Sequence, residues 1–282
     1  MNARAKVAEL RKLMKQQGVH AYYVPSADPH QSEYLPERWK YRAWLSEFTG
    51  SMGELIVGAR RAGLWTDGRY FLQAGMELEG SGIQLQKMGE PGTPSMTEWV
   101  AGQLKKGQCL GMDPTLVSVG TAQMFEEALA AKGVEVKFLR TNLIQKLWKD
   151  RPGPVLDPMV NHPAKFAGET VASKLKRVRE AMREAGCKAH VVVALDQIAW
   201  LFNVRSKDIL FTPVVTAYAV VTNPGADRYV DPRKVSKGIT PALTGKARIK
   251  DYAESWKDLR LQGRKKQKLW IDPVMTNRRV VD

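Results

Sequence analysis

The sequence contains one pattern of residues twice, and this internal repeat limits the possible folds more than any other feature. Seven positions recur at an offset of 168, so that Leu10, Arg11, Met14, Gly18, Ala21, Val24 and Asp28 correspond to Val178, Arg179, Met182, Gly186, Ala189, Val192 and Asp196. Chance can produce any single correspondence. Several correspondences in the same order indicate two copies of one domain.

Three further motifs extend the repeat. Ala43-Trp44-Leu45 returns as Ala199-Trp200-Leu201, the pattern of Trp65, Asp67 and Arg69 returns as Tyr229, Asp231 and Arg233, and Met112-Asp113-Pro114 returns as Ile271-Asp272-Pro273. The offset changes along the chain, which indicates that loops differ in length between the copies.

One loop differs in a specific way. The offset falls from 168 at Asp28 to 156 at Trp44, so copy one has twelve extra residues between Asp28 and Trp44, and we place the insertion across residues 29–36. Copy one also continues for roughly 30 residues beyond Asp113, whereas only ten residues follow Asp272. We therefore expect the second copy to be incomplete at its C-terminal end and the chain to be a fragment.

Length and composition agree with two globular domains. The chain has 282 residues, 44% of them hydrophobic and 26% charged. We expect domain I at residues 1–146, a proline-rich linker at 147–165 and an incomplete domain II at 166–282. No apolar run approaches the ~18 residues of a membrane span, and the N-terminus lacks the long apolar core of a signal peptide. With only two cysteines, the sequence predicts a cytoplasmic protein with reduced thiols.

The net charge of +15 is uneven along the chain. From Arg233 to Asp282 there are fourteen Lys or Arg residues against five Asp or Glu residues, with the densest run at 264–268. This run favours a solvated turn before a buried strand, and contact with an anionic partner is the alternative. Aromatic residues do not alternate with the basic ones, so binding to nucleic acid is not expected.

Hydrophobic periodicity predicts alternating helices and strands. In copy one it indicates helices at 40–48, 68–78 and near 96–105, and strands at 19–24, 54–57, 62–65, 83–88 and 109–112. Before them it indicates an amphipathic helix with Val7, Leu10, Leu13 and Met14 on one face, stopped by Gly18. In copy two it indicates helices at 169–185 and 196–202, and strands at 189–193, 218–221 and 228–230. The predicted fold class is α/β, with two tandem domains that each have a mixed sheet flanked by helices.

Six segments carry a resemblance to a known family: PSADPHQSEY (25–34), AWLSEFTGS (43–51), WTDGRYFLQA (65–74), WKDRP (148–152), KLKRVR (174–179) and LDQIAWLFNVR (195–205). Over essentially its whole length the chain resembles the N-terminal half of three-domain Xaa-Pro aminopeptidases (aminopeptidase P). The resemblance implies two leading domains of the creatinase amino-terminal type. In that family a third domain, of the pita-bread fold, removes the first residue from peptides with proline in second position.

The resemblance also implies the cofactor and the partners. The family binds two divalent metals, manganese or zinc, through two Asp, one His and two Glu of the catalytic domain, and none of these ligands maps onto this chain. We therefore expect no metal here, and inactivity of the chain alone. The expected partners are the catalytic domain, indirectly the peptide substrate, and further copies in a homo-oligomer of the full-length protein, with no membrane partner.

The residues themselves offer no catalytic motif. The four histidines include no HExxH pair, and the sequence has no phosphate loop, GxGxxG or GxSxG. Hydroxyl, imidazole and carboxyl groups do cluster at Ser26, Asp28, His30, Ser32 and Glu33, but triad members usually come from separate elements. We interpret the insertion as a protruding segment that faces the catalytic domain or a neighbouring subunit. An ordered surface loop pinned by Tyr34 and Leu35 is an equal alternative.

The candidates for contact with the substrate cleft or between domains are therefore His30, Glu33, Tyr34, Arg69 and Asp208. A second group forms a structural motif and consists of Trp65, Asp67, Gly68, Tyr70 and Trp200. We expect Asp67 to cap a helix and to pair with Arg69, Gly68 to allow close backbone approach, and Tyr70 and Phe71 to enter the core. The tryptophans are interpreted as core or interface anchors.

Several residues depart from the family pattern. Glu47 and Met52 stand where the family usually has small residues, and Ser206 stands where it usually has glycine. Leu210-Phe211 replaces a stretch that is commonly polar. A serine is costly where the backbone needs a positive φ, so these changes question the usual interdomain contact of the second-domain loop.

Two classes of function remain open. The chain is either the non-catalytic N-terminal part of an Xaa-Pro aminopeptidase, which covers the active-site cleft and supports assembly, or a stand-alone peptidase-like binding module. The second class would use the basic C-terminal segment to hold an acidic partner.

Overall fold

The computed structural model describes residues 1–236, 239, 247–264 and 267–282. The chain forms two compact units: unit 1 contains Met1–Asp28 and Glu37–Gly153, and unit 2 contains Pro29–Pro36 and Pro154–Asp282. The division after Gly153 lies within the segment expected to be a linker. The insertion of copy one, however, is part of unit 2. The centre of the basic run, Lys265-Lys266, lies outside the described residues.

Unit 1 is an α/β domain built on a six-stranded mixed sheet. Its strands are β1 (Ala21–Val24), β2 (Glu54–Gly58), β3 (Ala62–Thr66), β4 (Gln84–Lys87), β5 (Cys109–Met112) and β6 (Glu135–Phe138). Its helices are α1 (Ala3–Gln16), α2 (Tyr41–Ser46), α3 (Phe71–Glu77), α4 (Met96–Ala101), α5 (Val119–Ala130) and α6 (Leu143–Leu147). The strand order is β4-β3-β2-β1-β5-β6, and only β2 runs antiparallel to its neighbours.

The sheet of unit 1 is buried on both faces because its strands alternate between two apolar clusters. On β1, Tyr22 and Val24 join the cluster that contains α1, α2 and α6. The alternate residues Ala21 and Tyr23 join the cluster that contains α4 and α5. Unit 1 is therefore a three-layer α/β domain.

Unit 2 repeats this architecture. Its strands are β7 (Val160–Asn161), β8 (Ala189–Val192), β9 (Val204–Arg205), β10 (Ala217–Thr222), β11 (Ala226–Val230), β12 (Ala247–Asp251) and β13 (Leu269–Trp270). Its helices are α7 (Ala164–Ala167), α8 (Val171–Glu184), α9 (Leu195–Leu201) and α10 (Ser255–Arg264). The main sheet has the order β12-β11-β10-β8-β13, and β7 pairs with β9 in a small separate sheet.

The two sheets confirm the predicted duplication. Strands β8, β10, β11, β12 and β13 take the order and directions of β1, β2, β3, β4 and β5. Even the register is repeated, since Ala21 pairs with Leu110 in unit 1 and Ala189 pairs with Leu269 in unit 2. Among the described residues, β13 has no outer neighbour that corresponds to β6.

A buried lysine fixes the first helix to the second helix in each unit. In unit 1, the Lys6 Nζ donates to the Trp44 carbonyl at 2.8 Å and to Glu47 at 2.9 Å, and it lies 4.8 Å from the Trp44 ring centroid. In unit 2, the Lys174 Nζ donates to the Trp200 carbonyl at 2.8 Å and to Asn203 at 2.7 Å. The lysines replace partners that the last carbonyls of α2 and α9 lack within the helix.

The turn after α2 explains the Phe48-Thr49-Gly50 part of the motif. The buried Arg42 guanidinium donates to the carbonyls of Phe48 and Gly50 at 2.6 and 2.5 Å, so the turn wraps around this side chain. A Cβ added at Gly50 would lie 2.3 Å from the Phe48 ring, which no side chain can accommodate without movement. Burial lowers the pKa of Arg42 to about 10.

The structural motif around Asp67 is partly as expected. Asp67 accepts from the backbone N–H of Arg69 at 3.0 Å and pairs with its guanidinium, and Asp231 and Arg233 do the same in unit 2. Trp65 is buried, whereas Tyr70 is only half-buried at the edge of the core.

Two expectations for these motifs are wrong, and a third is narrowed. A Cβ at Gly68 would meet only the Phe71 ring at 3.9 Å, so no close backbone approach occurs there. Phe71 is half-buried, with the Lys87 ammonium 5.5 Å from its ring centroid, and it belongs to neither apolar cluster of unit 1. Trp200 is 44% exposed, so it is not a core residue, and its role as an interface anchor stays a prediction.

The structure gives a physical account of two departures from the family pattern, Glu47 and Ser206. Glu47 ends α2 in the left-handed conformation at φ 63°, which explains why a small residue is common at this position. Ser206 is not among the residues with positive φ, so its replacement of glycine causes no strain. Its hydroxyl donates to Asp208 at 2.9 Å instead.

The Lys174 contact allows a direct test of the duplicated lysine. We expect Lys174→Ala to lower the stability of unit 2 by about 2–4 kcal/mol, because the Trp200 carbonyl and the Asn203 side chain lose a charged donor. Lys176→Ala on the same helix changes an exposed side chain and should stay within about 0.5 kcal/mol. Hydrogen exchange of α8 and β8 amides measures both. Equal effects of the two substitutions would contradict the assigned role.

Glu54 is the titratable group in unit 1 with the clearest consequence for stability. It opens β2, accepts from the Tyr23 hydroxyl at 2.7 Å, and has its pKa raised to about 7 by burial, with Tyr23 and Arg42 opposing the shift. The folded state therefore holds a proton that the unfolded state releases at lower pH. Stability from this group is present below the unfolded pKa and is lost as the pH rises towards and through about 7.

We expect Glu54→Gln to remove this dependence. Between pH 5 and 8, the native chain should lose up to about 3 kcal/mol of unfolding free energy more than the variant, because glutamine accepts from Tyr23 without ionising. Urea unfolding across this range provides the measurement, with the exposed Glu90→Gln as the control. Parallel curves for the native chain and Glu54→Gln would show that Glu54 does not carry a shifted pKa.

Candidate functional site

The candidate site is a cavity of about 420 Å³ in unit 2, on one side of the α9 N-terminus. One wall is the insertion, which contributes residues 30–34. The other walls are the start of α9 with Leu195 and Asp196, the loop between β9 and β10, and Met275. The lining is mainly apolar, with the Glu33 and Asp196 carboxylates as its charged groups.

The start of the insertion is anchored by hydrogen bonds to unit 2. The Pro29 carbonyl accepts from the Asn277 side chain at 2.6 Å and from the Tyr218 hydroxyl at 3.3 Å. Proline has no N–H, so its carbonyl is the only backbone group that it offers to a partner. Both partners are fully buried, which fixes the position at which the segment enters unit 2.

His30 is the main anchor of the insertion. It is 1% exposed, its Nδ1 lies 2.9 Å from the Val193 carbonyl, and its Nε2 lies 2.9 Å from the Tyr252 hydroxyl. A carbonyl can only accept, so Nδ1 carries a proton and donates to Val193, and Nε2 shares its hydrogen bond with the Tyr252 hydroxyl. The ring also lies 4.5 Å from the Tyr218 ring. The residue expected to protrude is therefore part of the unit 2 interior.

The residues after His30 turn outwards. Gln31 takes a positive φ of 54°, and the side chains of Glu33 and Tyr34 are exposed. Tyr34 is 56% exposed and therefore does not pin the loop, whereas Leu35 is half-buried. The insertion is ordered through His30, and this anchoring leaves Glu33 and Tyr34 at the mouth of the cavity.

The loop between β9 and β10, which lines the cavity opposite the insertion, is held by a buried ion pair. Asp208 and Lys234 are both almost fully buried and contact each other directly. The Asp208 carboxylate also accepts from the Ser206 hydroxyl at 2.9 Å and from the Thr216 N–H at 2.6 Å. Because the carboxylate is fully engaged, Asp208 fixes both ends of the loop that carries Ile209, Thr212 and Val214 into the cavity.

The tip of this loop is apolar and exposed to solvent. Leu210 is 74% exposed and Phe211 is 95% exposed, and Phe211 has a positive φ of 63°. The short turn closed by the Ile209–Thr212 bridge requires this conformation. Residues other than glycine rarely take a positive φ, and an almost fully exposed aromatic side chain gains no buried contacts in return.

The structure brings only some of the predicted residues together. Glu33 and Tyr34 line the cavity, while His30 and Asp208 hold its two walls. Arg69 belongs to unit 1, where its guanidinium is paired with Asp67 and is 68% exposed.

Sequence reasoning missed Asp196, Lys234 and Met275. Asp196 could have been found because it is the repeat counterpart of Asp28. Lys234 and Met275 gave no signal, since neither lies in a motif.

The residues present do not fit a metal centre. In the described ranges, no three His, Cys, Asp or Glu side chains come close enough together to hold a metal ion. The histidine of the cavity has both ring nitrogens engaged by the protein, and the carboxylate of Asp208 faces lysine. No step of a reaction can be assigned to a metal held by these side chains.

The described helices were also compared with the requirements of a membrane span. Within the part of the chain that the structure describes, no helix combines sufficient length with sufficient apolar character to cross a bilayer.

Replacing His30 tests whether it anchors the insertion. We expect His30→Ala to lower the stability of unit 2 by about 2–4 kcal/mol, because a buried carbonyl and a buried hydroxyl lose their partner. Residues 31–36 should then become sensitive to limited proteolysis. Glu33→Ala in the same segment is the control and should leave stability within about 0.5 kcal/mol. Unchanged protection of residues 31–36 in His30→Ala would refute the anchoring role.

Comparison with protein families identifies both halves of the chain. Two profiles of the creatinase/prolidase N-terminal domain match residues 6–144 and 150–282. The matched ranges correspond to copy one and copy two.

Among curated proteins, the chain is 43% identical over 235 residues to Aminopeptidase P2 of Arabidopsis thaliana, covering 82% of this chain and 33% of that protein. It is 37% identical over 263 residues to a probable Xaa-Pro aminopeptidase P of Paracoccidioides brasiliensis, covering 93% of this chain and 42% of that protein. The chain thus spans less than half the length of these relatives.

A solved structure shows the same fold over the whole chain. The X-prolyl aminopeptidase of Caenorhabditis elegans, described as a cytosolic enzyme with a di-nuclear active site, matches with a TM-score of 0.92 and 30% sequence identity. The match covers 99% of this chain and 48% of the C. elegans protein.

Proposed function

Because the chain belongs to the creatinase/prolidase N-terminal domain family and carries two of these domains in tandem, we propose that it is the non-catalytic N-terminal part of an Xaa-Pro aminopeptidase. Such an enzyme releases the N-terminal residue that precedes proline. In this proposal the two domains cover the active-site cleft and support assembly, and the catalytic domain belongs to polypeptide outside these 282 residues.

One observation carries the proposal. Almost the entire chain, 99%, superposes on 48% of an X-prolyl aminopeptidase with a TM-score of 0.92. The curated relatives repeat this proportion, since the chain covers 33% of one and 42% of another. The simplest account is that this chain contributes to a larger peptidase in the way that the matched part contributes to the C. elegans enzyme.

The cavity of unit 2 is the proposed contact with the catalytic domain. Glu33 and Tyr34 on one wall, and the exposed Leu210 and Phe211 on the other, offer a carboxylate and apolar surface at a single opening. His30 and Asp208 contribute by holding these walls in place. Arg69 is a separate candidate for contact, because Asp67 orients its exposed guanidinium.

The cofactor, the location and the assembly follow from the same proposal. The two divalent metals, manganese or zinc, would be bound by the catalytic domain, in keeping with the di-nuclear site named for the C. elegans enzyme. We also propose cytoplasmic residence and homo-oligomerisation of the full-length protein. The peptide substrate would meet this chain only at the rim of the cleft.

The alternative of a stand-alone binding module is not favoured, because the named relatives above are all Xaa-Pro or X-prolyl peptidases. The basic run on which that alternative depends also includes Lys265 and Lys266, which lie outside the described residues.

Complementation tests the proposed function. The expected results are no hydrolysis of an Xaa-Pro peptide by this chain with Mn²⁺ or Zn²⁺, and renewed hydrolysis when the chain is mixed with Arabidopsis Aminopeptidase P2 from which the matched 33% has been deleted. Peptidase activity that rises with the amount of added chain would show that this chain assembles with the catalytic domain and covers its active-site cleft. Cleavage by the chain alone would disprove the non-catalytic assignment. The control mixes the same deleted enzyme with residues 1–153, which contain unit 1 and the insertion but lack the rest of unit 2, and should restore nothing.

A further inference from the structure

Arg228 is a fully buried cation on an inner strand of unit 2. It lies on β11, between β10 and β12, and it pairs with Ala219 on one side and with Ile249 on the other. Its side chain is 0% exposed. A guanidinium group has five N–H donors and no acceptor, so its burial requires acceptors close by. Without them, an unpaired buried charge strongly destabilises the folded state.

The surroundings of this guanidinium are apolar. Side chains alternate between the two faces of a strand, so Arg228 shares its face with Ala226 and Val230, which belong to the main apolar cluster of unit 2. The guanidinium carbon lies 5.2 Å from the ring centroid of Phe202, a member of the same cluster. Among the described residues, no acceptor lies within hydrogen-bond distance of any of its three nitrogens. The aromatic ring attracts the cation but does not replace the missing acceptors.

The carboxylates nearest to this arginine in the sequence are paired elsewhere. Asp227 belongs to the other face of β11, where it accepts from the Arg248 guanidinium at 2.7 Å. Asp231, just after the strand, accepts from the Arg233 guanidinium at 2.6 Å. Residues 237–246, most of which lie outside the described ranges, contain neither Asp nor Glu. A compensating carboxylate is therefore not supplied from these neighbouring positions.

Unit 1 shows how the same chain compensates a buried guanidinium. All three nitrogens of Arg42 donate, to the Ser26 hydroxyl and to the carbonyls of Phe48 and Gly50. Burial lowers the pKa of Arg42 and of Arg228 to about 10, so both groups are positively charged at neutral pH. The two arginines thus carry the same charge at similar burial, and the described residues provide acceptors for only one of them.

The repeat shows that this position differs from its counterpart in a paired way. In unit 1, Leu64 on β3 lies beside Leu55 on β2, and both are fully buried. The matched pair in unit 2 is Arg228 on β11 beside Ala219 on β10. Arginine replaces one leucine, and the smaller alanine replaces the other. The exchange makes room for a charged group inside the apolar cluster, and unit 1 provides the same framework without the cation.

We propose that Arg228 is the ligand of a buried site in unit 2 for one small monovalent anion of the size of chloride. The anion would accept from the unpaired guanidinium N–H groups and neutralise the charge inside the cluster. A close-packed apolar interior has room for a single-atom ion. Phosphate or sulfate would bring several charged oxygens, for which the apolar neighbours offer no donors. Because unit 2 itself buries Arg228, the site does not depend on polypeptide outside these residues.

Hydrogen exchange of the β10 and β11 amides at constant ionic strength tests this site. Sodium gluconate, whose anion is too large for the site, is replaced stepwise by sodium chloride. An anion that binds only the folded state stabilises it by mass action, so exchange in the native chain should slow by about tenfold for each tenfold rise in chloride above saturation. Exchange that is equally fast in gluconate and in chloride would overturn the proposal.

Two substitutions make the chloride dependence specific. Arg228→Leu, which introduces the residue of copy one, should abolish the dependence whatever its effect on the absolute exchange rates. Arg248→Leu is the control, because this arginine is exposed on the neighbouring strand β12, and it should retain the dependence. A dependence that persists in Arg228→Leu would contradict the assignment of Arg228 as the ligand.

Crystals of the native chain grown with sodium bromide provide a measurement that requires no variant. Anomalous scattering should place one bromide in contact with the Arg228 guanidinium. Bromide at exposed positions only would refute the site. Slower exchange in sodium acetate but not in sodium chloride would refute the assignment to a single-atom anion. Both measurements are made without any peptidase, so they are independent of the complementation result.

Discussion

The arrangement of each unit depends on one buried ammonium group. Burying a lysine costs several kcal/mol unless the charge is fully compensated, and here the compensation comes from a helix C-terminus and one side-chain oxygen. Lys6 and Lys174 therefore fix the second helix against the first at one distance and orientation. Burial lowers the pKa of Lys174. The tryptophan over each ammonium excludes water from the contact, and the left-handed residues Glu47 and Asn203 direct the chain away from it.

Much of the fold could be predicted because its periodicity is local. Val7, Leu10 and Met14 lie on one helical face, and the hairpin of β2 and β3 follows from two short apolar runs. The lysine contact could not be predicted in this way, since a lysine on a basic helix is expected in solvent. Its repetition at Lys6 and Lys174 was visible in the sequence, however, at the same offset as the other first-helix matches. The strand β12 was missed because its alternating residues are mostly polar and give a weak apolar pattern.

The site was less predictable because it depends on a contact distant in sequence. The insertion of copy one was identified from offsets alone, and His30, Glu33 and Tyr34 were selected within it. Nothing local indicates that His30 is bound by Val193 and Tyr252, which lie more than 160 positions away along the chain. A histidine between two turn-forming residues is usually exposed, and only the three-dimensional partners make it an anchor. Asp208 is a similar case. A carboxylate in a loop is expected in solvent, yet Asp208 is the most buried charged residue of its loop.

The two copies use the same framework for different purposes, and the difference lies at matched positions. Where copy one has Tyr41, buried at 1% and in edge contact with Trp148, copy two has Gln197, which is exposed. Where copy one has Asp28 followed by the insertion, copy two has Asp196, which lines the cavity that the insertion completes. Asp196 lies in the first turn of α9, whereas Asp28 precedes the insertion and α2 begins only at Tyr41. Lengthening one connecting loop then lets a segment of the first copy become a wall of the second, so that the cavity requires both copies although it lies within one unit.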